Sequence, residues 1–149
     1  MRNANPALGW PARIGLAGAT LTAAALTAIA ISWLVDPAGT SLIFGVELSG
    51  QQLAYGRVKG AEDLLAATAI GLFLVRRDRS ALIGVLAVGL LVPVGDIAAV
   101  VLAGAGALDN LAVHACFLAV MASSIALLRF DRPSDRAGTR RRFDAAAYN

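Results

Sequence analysis

Ionisable side chains are concentrated in one stretch, YGRVKGAEDLL, immediately before an apolar run. Within seven residues it contains Arg57, Lys59, Glu62 and Asp63. The four-residue spacing of Lys59 and Asp63 allows an ion pair on one face of a helix. Two further ionisable residues, Asp96 and His114, lie inside later apolar runs. Carboxylates and a histidine that meet in an apolar environment can bind a polar group or transfer a proton.

The composition indicates a membrane protein. Of the 149 residues, 58% are hydrophobic and 15% are charged, and the mean hydropathy is +0.69. Soluble domains contain about 45–50% apolar residues. Cys116 is the single cysteine, which excludes an intramolecular disulfide and a thiolate metal site. We therefore expect no metal and no cofactor.

Four apolar runs can position the ionisable residues, and the predicted helices span about 14–35, 54–76, 81–105 and 109–129. The predicted fold class is all-α, an integral membrane four-helix bundle over 14–130. A short cytoplasmic segment, 1–13, precedes it, and a disordered, basic cytoplasmic tail, 131–149, follows.

The first run, 14–35, contains no charge and would extend about 33 Å as a helix, enough for a hydrocarbon core of about 30 Å. A signal peptide is the alternative, but its apolar region would be only about 7–15 residues long. Trp10 and Trp33 occupy positions expected for an aromatic belt at the membrane surfaces.

The second run constrains the whole arrangement. Only residues 64–75 are free of charge, about 18 Å of helix, which cannot cross a bilayer. A crossing that ends at Val75 must begin near Gly56, so it carries the charged stretch into the membrane. The alternatives are a re-entrant segment and a helix whose first turns project into water.

The distribution of Lys and Arg favours four crossings with both termini in the cytoplasm. This topology leaves only Arg57 and Lys59 of the 13 basic residues outside. The predicted localisation is the cell membrane, with multiple passes. The residues assigned to the cytoplasmic side are Arg2, Arg13, Arg76, Arg77, Arg79, Arg129, Arg132, Arg136, Arg140, Arg141 and Arg142.

Three predicted helices carry an ionisable residue at a similar depth. Counted from the cytoplasmic ends, Asp63, Asp96 and His114 lie about 20, 26 and 23 Å into their helices. We expect these three to be the catalytic or proton-binding groups. The residues expected to bind a ligand beside them are Lys59, Arg57, Glu62 and Asn110.

Local features add to this picture. Pro93 is expected to kink the third helix close to Asp96. Gly56 and Gly60 form a G-x-x-x-G match, which favours close helix packing within the subunit over dimerisation. The Gly-containing loop from 36 to 51 could fold back over the polar residues as a lid.

A set of motifs carries a family resemblance over roughly residues 14–128. The motifs are WLVDP at 33–37, the loop 39–45 with Phe44, Lys59-Gly60 followed by Asp63, Arg76-Arg77, Asp96 and His114. In these the chain resembles an uncharacterised family of small four-helix membrane proteins, domain of unknown function 4267, and is loosely similar to DoxX-like proteins. The resemblance implies a four-helix membrane fold and no established activity. That family is expected to have an arginine where this chain has Glu62.

Two main functions remain open from the sequence, and proton-coupled transport is a third option, for which the four helices would have to oligomerise to form a path. The first is a site that binds a small lipophilic molecule or acts on it by proton transfer. The second is a structural or accessory membrane subunit in which the same residues only hold the helices in register. The sequence has no nucleotide-binding, metalloprotease or hydrolase motif. Expected partners are membrane lipids, a lipophilic ligand, and a second copy or another membrane protein, but no nucleic acid.

Overall fold

The computed structural model describes residues 9–102, 104 and 108–130, and of residues 108–110 only the backbone. The predicted N-terminal segment up to residue 8 and the predicted tail, 131–149, lie outside the described residues. The described part is all-helical and contains no strand, which confirms the all-α fold class.

The described ranges contain six α-helices and one 3₁₀ turn, Gly50–Gln52. The α-helices are α1 (Trp10–Val35), α2 (Pro37–Ile43), α3 (Leu53–Arg76), α4 (Arg79–Gly89), α5 (Leu91–Leu102) and α6 (Leu108–Phe130). Within the part of the chain that the structure describes, three helical segments are long and apolar enough to cross a membrane: α1, the combined α4 and α5, and residues 111–130 of α6. α3 is 24 residues long, but its charges make it less apolar than these three.

The region predicted as one helix over 81–105 is divided at Leu90 into α4 and α5. Pro93 has no backbone N–H, so it cannot donate to the carbonyl of Gly89 one turn earlier. The interruption directly follows Gly89, whereas the prediction placed the kink near Asp96. A proline disturbs the turn that precedes it, and the break accordingly lies before Pro93.

α1 and α3 pack against each other most extensively, and two glycines of α3 allow this. A Cβ atom at Gly60 would lie 2.9 Å from the carbonyl oxygen of Ala30 and 2.8 Å from the Cβ atom of Trp33. A Cβ atom at Gly56 would lie 2.8 Å from Cβ of Pro37. The G-x-x-x-G match therefore serves packing within the subunit.

Successive long helices run in opposite directions. Gly15 near the start of α1 contacts Leu128 near the end of α6, while Gly60 near the start of α3 contacts Ala30 near the end of α1. One end of the bundle, here called the basic end, thus contains Arg13, Arg76, Arg77, Arg79 and Arg129.

The buried apolar core lies toward the basic end. It is formed by side chains of four helices that pack on one another without an ionisable group among them. These are Ala19, Ile70, Leu82, Leu86, Met121, Ile125 and Leu128. The opposite end, here called the cavity end, contains α2, the start of α3, α5 and the start of α6.

Candidate functional site

The first part of the site is an ion pair on α3. Lys59 and Asp63 are one helical turn apart, and Lys59 Nζ donates to Asp63 Oδ1 at 2.6 Å. The side chain of Asp63 is 4% exposed and that of Lys59 is 27% exposed. The i,i+4 spacing therefore produces the pair that the sequence predicted, with its carboxylate buried.

Two other helices bring ionisable groups to this pair. Asp96 of α5 places Oδ2 3.7 Å from Lys59 Nζ and also 3.7 Å from His114 Nδ1 of α6. Both distances exceed hydrogen-bond length. Lys59, Asp63, Asp96 and His114 thus form a cluster from three helices, here called the polar cluster. The sequence predicted this meeting of residues, and their chemical roles stay predictions.

The remaining candidate residues are placed differently. Glu62 is exposed but lines the larger cavity beside the polar cluster. Arg57 is exposed and lines neither of the cavities described below. Arg57 lies two residues before Lys59 on α3, so the helix turns its side chain away from the cluster. The side chain of Asn110 lies outside the described residues.

Aromatic rings cover the polar cluster at the cavity end. The ring centroid of Phe44 lies 5.6 Å from that of Trp33 and 5.4 Å from that of His114. Asp36 begins α2 by accepting a hydrogen bond from the backbone N–H of Gly39 at 2.9 Å. The segment after α1 therefore folds back, as expected of a lid, and brings Phe44 onto His114.

The aromatic-belt expectation is wrong for Trp33. Its side chain is 5% exposed and packs against Gly56, Gly60 and Phe44. Because the two glycines have no side chains, α3 leaves room for the indole between itself and α1. Trp10, in contrast, is exposed.

A cavity of about 250 Å³ adjoins the polar cluster, here called the lateral cavity. Its wall is mainly apolar and comes from α1, α3, α4, α5 and α6. Leu65 and Val88 line it and are 71% and 68% exposed, so it opens sideways between α3 and α4. Other apolar lining residues are Leu26, Ile29, Ala66, Ala69, Ile70, Val85, Val92, Pro93, Phe117 and Met121.

A second cavity of about 190 Å³ lies on the other side of the polar cluster, toward the loop after α2. It is lined by apolar residues that include Val46, Leu48 and Val100. Phe44, Lys59, Asp96 and His114 line both cavities, so these four side chains form the partition between them.

Two buried nitrogens near this partition have no hydrogen-bond partner among the described residues. They are Nε1 of Trp33 and Nε2 of His114. Buried polar atoms are almost always satisfied, and an unsatisfied one costs about 1–3 kcal/mol. The cluster therefore retains hydrogen-bonding capacity that its own side chains do not use.

Phe117 and Met121 also line the lateral cavity. Both lie on α6, three and seven residues after His114. The helical period places such positions on the face of His114. Neither residue was predicted as a site residue, although the i+3 and i+7 spacing from His114 contained the signal.

Comparison with known proteins identifies a family. The model of a domain of unknown function, DUF4267, matches residues 23–128. This chain belongs to the DUF4267 family. The matched range of this DUF4267 protein contains the entire polar cluster and all residues of both cavities. No curated protein and no solved structure matches the chain. The family prediction is confirmed, and the similarity to DoxX-like proteins stays a prediction.

Proposed function

We propose that this protein crosses the cell membrane four times, with both termini on the cytoplasmic side. α3 is the crossing that the hydropathy alone does not identify. Its 24 residues extend about 36 Å and it packs antiparallel to α1. The arginines of the basic end lie at one end of all the long helices, which agrees with the excess of Lys and Arg on the cytoplasmic side of membrane proteins.

This topology is tested by labelling single cysteines from either side of the membrane. Cys116 is first replaced by serine, and Gln51→Cys before α3 or Ser80→Cys after it is introduced. Both positions are exposed. If α3 crosses, an impermeant maleimide labels position 51 from outside and position 80 only after the membrane is opened. Labelling of both positions from the same side would overturn the proposal.

The function we propose is the binding of a small lipophilic molecule at the lateral cavity. The observation that carries it is the cavity itself, which has an apolar wall and an opening between α3 and α4 and contacts Asp63, Asp96 and His114. Ligand sites are mostly apolar concavities with a few convergent polar groups. A molecule dissolved in the membrane could enter sideways without passing through water.

The separations within the polar cluster favour binding over catalysis. Proton transfer requires a hydrogen bond of about 2.6–3.2 Å between heavy atoms, and Asp96 lies 3.7 Å from His114. A bound polar head group can bridge this separation by hydrogen-bonding to both side chains. Binding therefore can use the two groups where they lie, whereas direct proton exchange between them requires the side chains to come closer.

Binding is tested by thermal unfolding of the purified protein in detergent with and without dodecan-1-ol. A ligand that binds only the folded state raises the Tm. Ala66→Phe fills the lateral cavity and should abolish this shift. Ala61 is exposed on the same helix, so Ala61→Phe should retain the Tm shift. Ala69→Met provides a second cavity-filling variant if Ala66→Phe does not fold.

One observation favours the alternative of a structural or accessory subunit. The Lys59–Asp63 pair is already closed at 2.6 Å and can hold its helix in place without a ligand. If no lipophilic compound shifts the Tm, and Asp63→Asn and Asp96→Asn both unfold the protein, the polar cluster has this structural role. A ligand-induced shift that Ala66→Phe removes supports the binding function.

A further inference from the structure

The charges around the lateral cavity are unbalanced. Among the described residues, three carboxylates line it, those of Glu62, Asp63 and Asp96, but only one ammonium, that of Lys59. The polar end of the cavity therefore has an excess of negative charge. It lies in an environment of low dielectric constant, where electrostatic interactions are strong.

The single ammonium is largely committed to one partner. Lys59 Nζ lies 2.6 Å from Asp63 but 3.7 Å from Asp96. The interactions of Asp96 within the described part of the chain use Oδ2, so its Oδ1 atom has no partner there. Its side chain is 28% exposed and faces the cavity. Asp96 is thus the carboxylate that is free to meet a ligand.

A second, independent observation also indicates a missing partner. His114 is almost fully buried, lines the lateral cavity and has its Nε2 atom unpartnered. A neutral imidazole has one donor and one acceptor nitrogen. The tautomer with its proton on Nδ1 directs that proton toward the carboxylate of Asp96, 3.7 Å away, and leaves Nε2 as an acceptor. Oδ1 of Asp96 and Nε2 of His114 thus both offer acceptors, and neither atom has a hydrogen-bond partner among the described residues.

We propose that the lateral cavity binds lipophilic amines, molecules with one protonated amino group on an apolar body. This inference rests on the proposed binding function and specifies its ligand class. An ammonium group carries three N–H donors and a positive charge, which match the acceptors and the excess of carboxylates at the polar end. The apolar body lies along Val92, Phe117 and Met121, with its far end toward the opening at Leu65.

The same charges exclude the opposite ligand class. A fatty acid would place its carboxylate beside Asp96 and Glu62, and like charges in a site of low dielectric constant repel strongly. A neutral alcohol can use the hydrogen-bond acceptors but gains no charge attraction. The expected order of affinity is therefore amine, then alcohol, then carboxylate.

The test uses three probes with the same twelve-carbon chain: dodecylamine, dodecan-1-ol and dodecanoate. Their apparent affinities are measured at pH 7 by the ligand dependence of the Tm, with Ala66→Phe as the blocked control. Dodecylamine should bind about tenfold more tightly than dodecan-1-ol, a difference of about 1.4 kcal/mol. Equal or tighter binding of the alcohol or the carboxylate overturns the amine preference but leaves the binding function intact. Binding of none of the three overturns both.

Variants that replace one carboxylate by an amide test which carboxylate causes the preference for amines. Asp96→Asn should reduce dodecylamine affinity about tenfold and leave dodecan-1-ol affinity unchanged. Glu62→Gln should have a smaller effect because the side chain of Glu62 is exposed, so that solvent and salt screen its charge. Glu47→Gln removes an exposed carboxylate that lines neither cavity and should change neither affinity. An equal loss in Glu47→Gln and Asp96→Asn would mean that net charge, not the cavity, attracts the amine.

Discussion

The basic end and the cavity end are built from the same helices but are packed differently. At the basic end, large apolar side chains such as Leu82, Leu86 and Leu128 fill the space between α1, α4 and α6. At the cavity end, α1 and α3 are held together by glycines, while the lateral cavity and the polar cluster separate α3 from α5.

This difference suggests that the two ends have different roles: the basic end stabilises the fold, and the cavity end contains the proposed binding site. In a membrane, helix association depends on van der Waals packing and interhelical hydrogen bonds, because lipid chains are as apolar as leucine. The basic end provides that packing. The cavity end can therefore leave space and unsatisfied polar atoms without loss of the fold. Four predictions, in order of decreasing effect on stability, test this comparison.

The largest effect is expected from loss of packing at the basic end. Leu86→Ala removes a fully buried side chain and should lower the free energy of unfolding by about 2–5 kcal/mol. Leu65→Ala shortens an exposed side chain in the wall of the lateral cavity and should lower the free energy of unfolding by less than about 1 kcal/mol. Both are measured by SDS titration in mixed micelles. Similar losses for the two leucines would contradict the division between the ends.

The next effect concerns the buried ion pair. Asp63→Asn removes the charge that Lys59 faces and should cost about 1–3 kcal/mol, less than for a fully buried pair because Lys59 is partly exposed. The double variant Lys59→Met/Asp63→Leu removes both charges and should lie within about 1 kcal/mol of the parent protein. If the double variant is less stable than Asp63→Asn, the pair itself is required for the fold. The same unfolding titration measures all three proteins.

A smaller effect is expected at the aromatic partition. Phe44→Ala removes the ring contacts with Trp33 and His114 and should cost about 1–2 kcal/mol, since aromatic pairs contribute about 0.5–1.5 kcal/mol. It should also connect the two cavities and admit water to Trp33. Quenching of Trp33 fluorescence by iodide, in a Trp10→Phe background, should increase. Unchanged quenching would show that Phe44 does not separate the cavities.

The smallest effect is expected where α3 ends at the basic end. Arg77 has φ of 56°, a left-handed conformation that costs a residue with a side chain about 1 kcal/mol. Arg77→Gly should therefore raise the free energy of unfolding by about 0.5–1 kcal/mol. Arg76→Gly removes the same charge at a helical position and should lower it by a similar amount. If both variants lower the free energy of unfolding, the arginine side chains contribute more to stability than the backbone conformation at residue 77.

Much of the polar cluster could be predicted because helical geometry is regular. Counting residues from the arginines placed Asp63, Asp96 and His114 at one level, and the i,i+4 rule paired Lys59 with Asp63. The cavities could not be predicted in this way. They depend on where α5 lies relative to α3 and on how Phe44 folds back, and both result from contacts between residues distant in sequence.

The sequence by itself determined the helical class, the membrane composition, the arginines at one end and the presence of charge within α3. These properties depend on residue type and on a periodicity that is local to each segment. Only the tertiary structure decided that Trp33 turns inward and that Asp96 keeps an oxygen open to a cavity. Those outcomes depend on distances between helices, which close packing and the placement of glycines set jointly across the bundle.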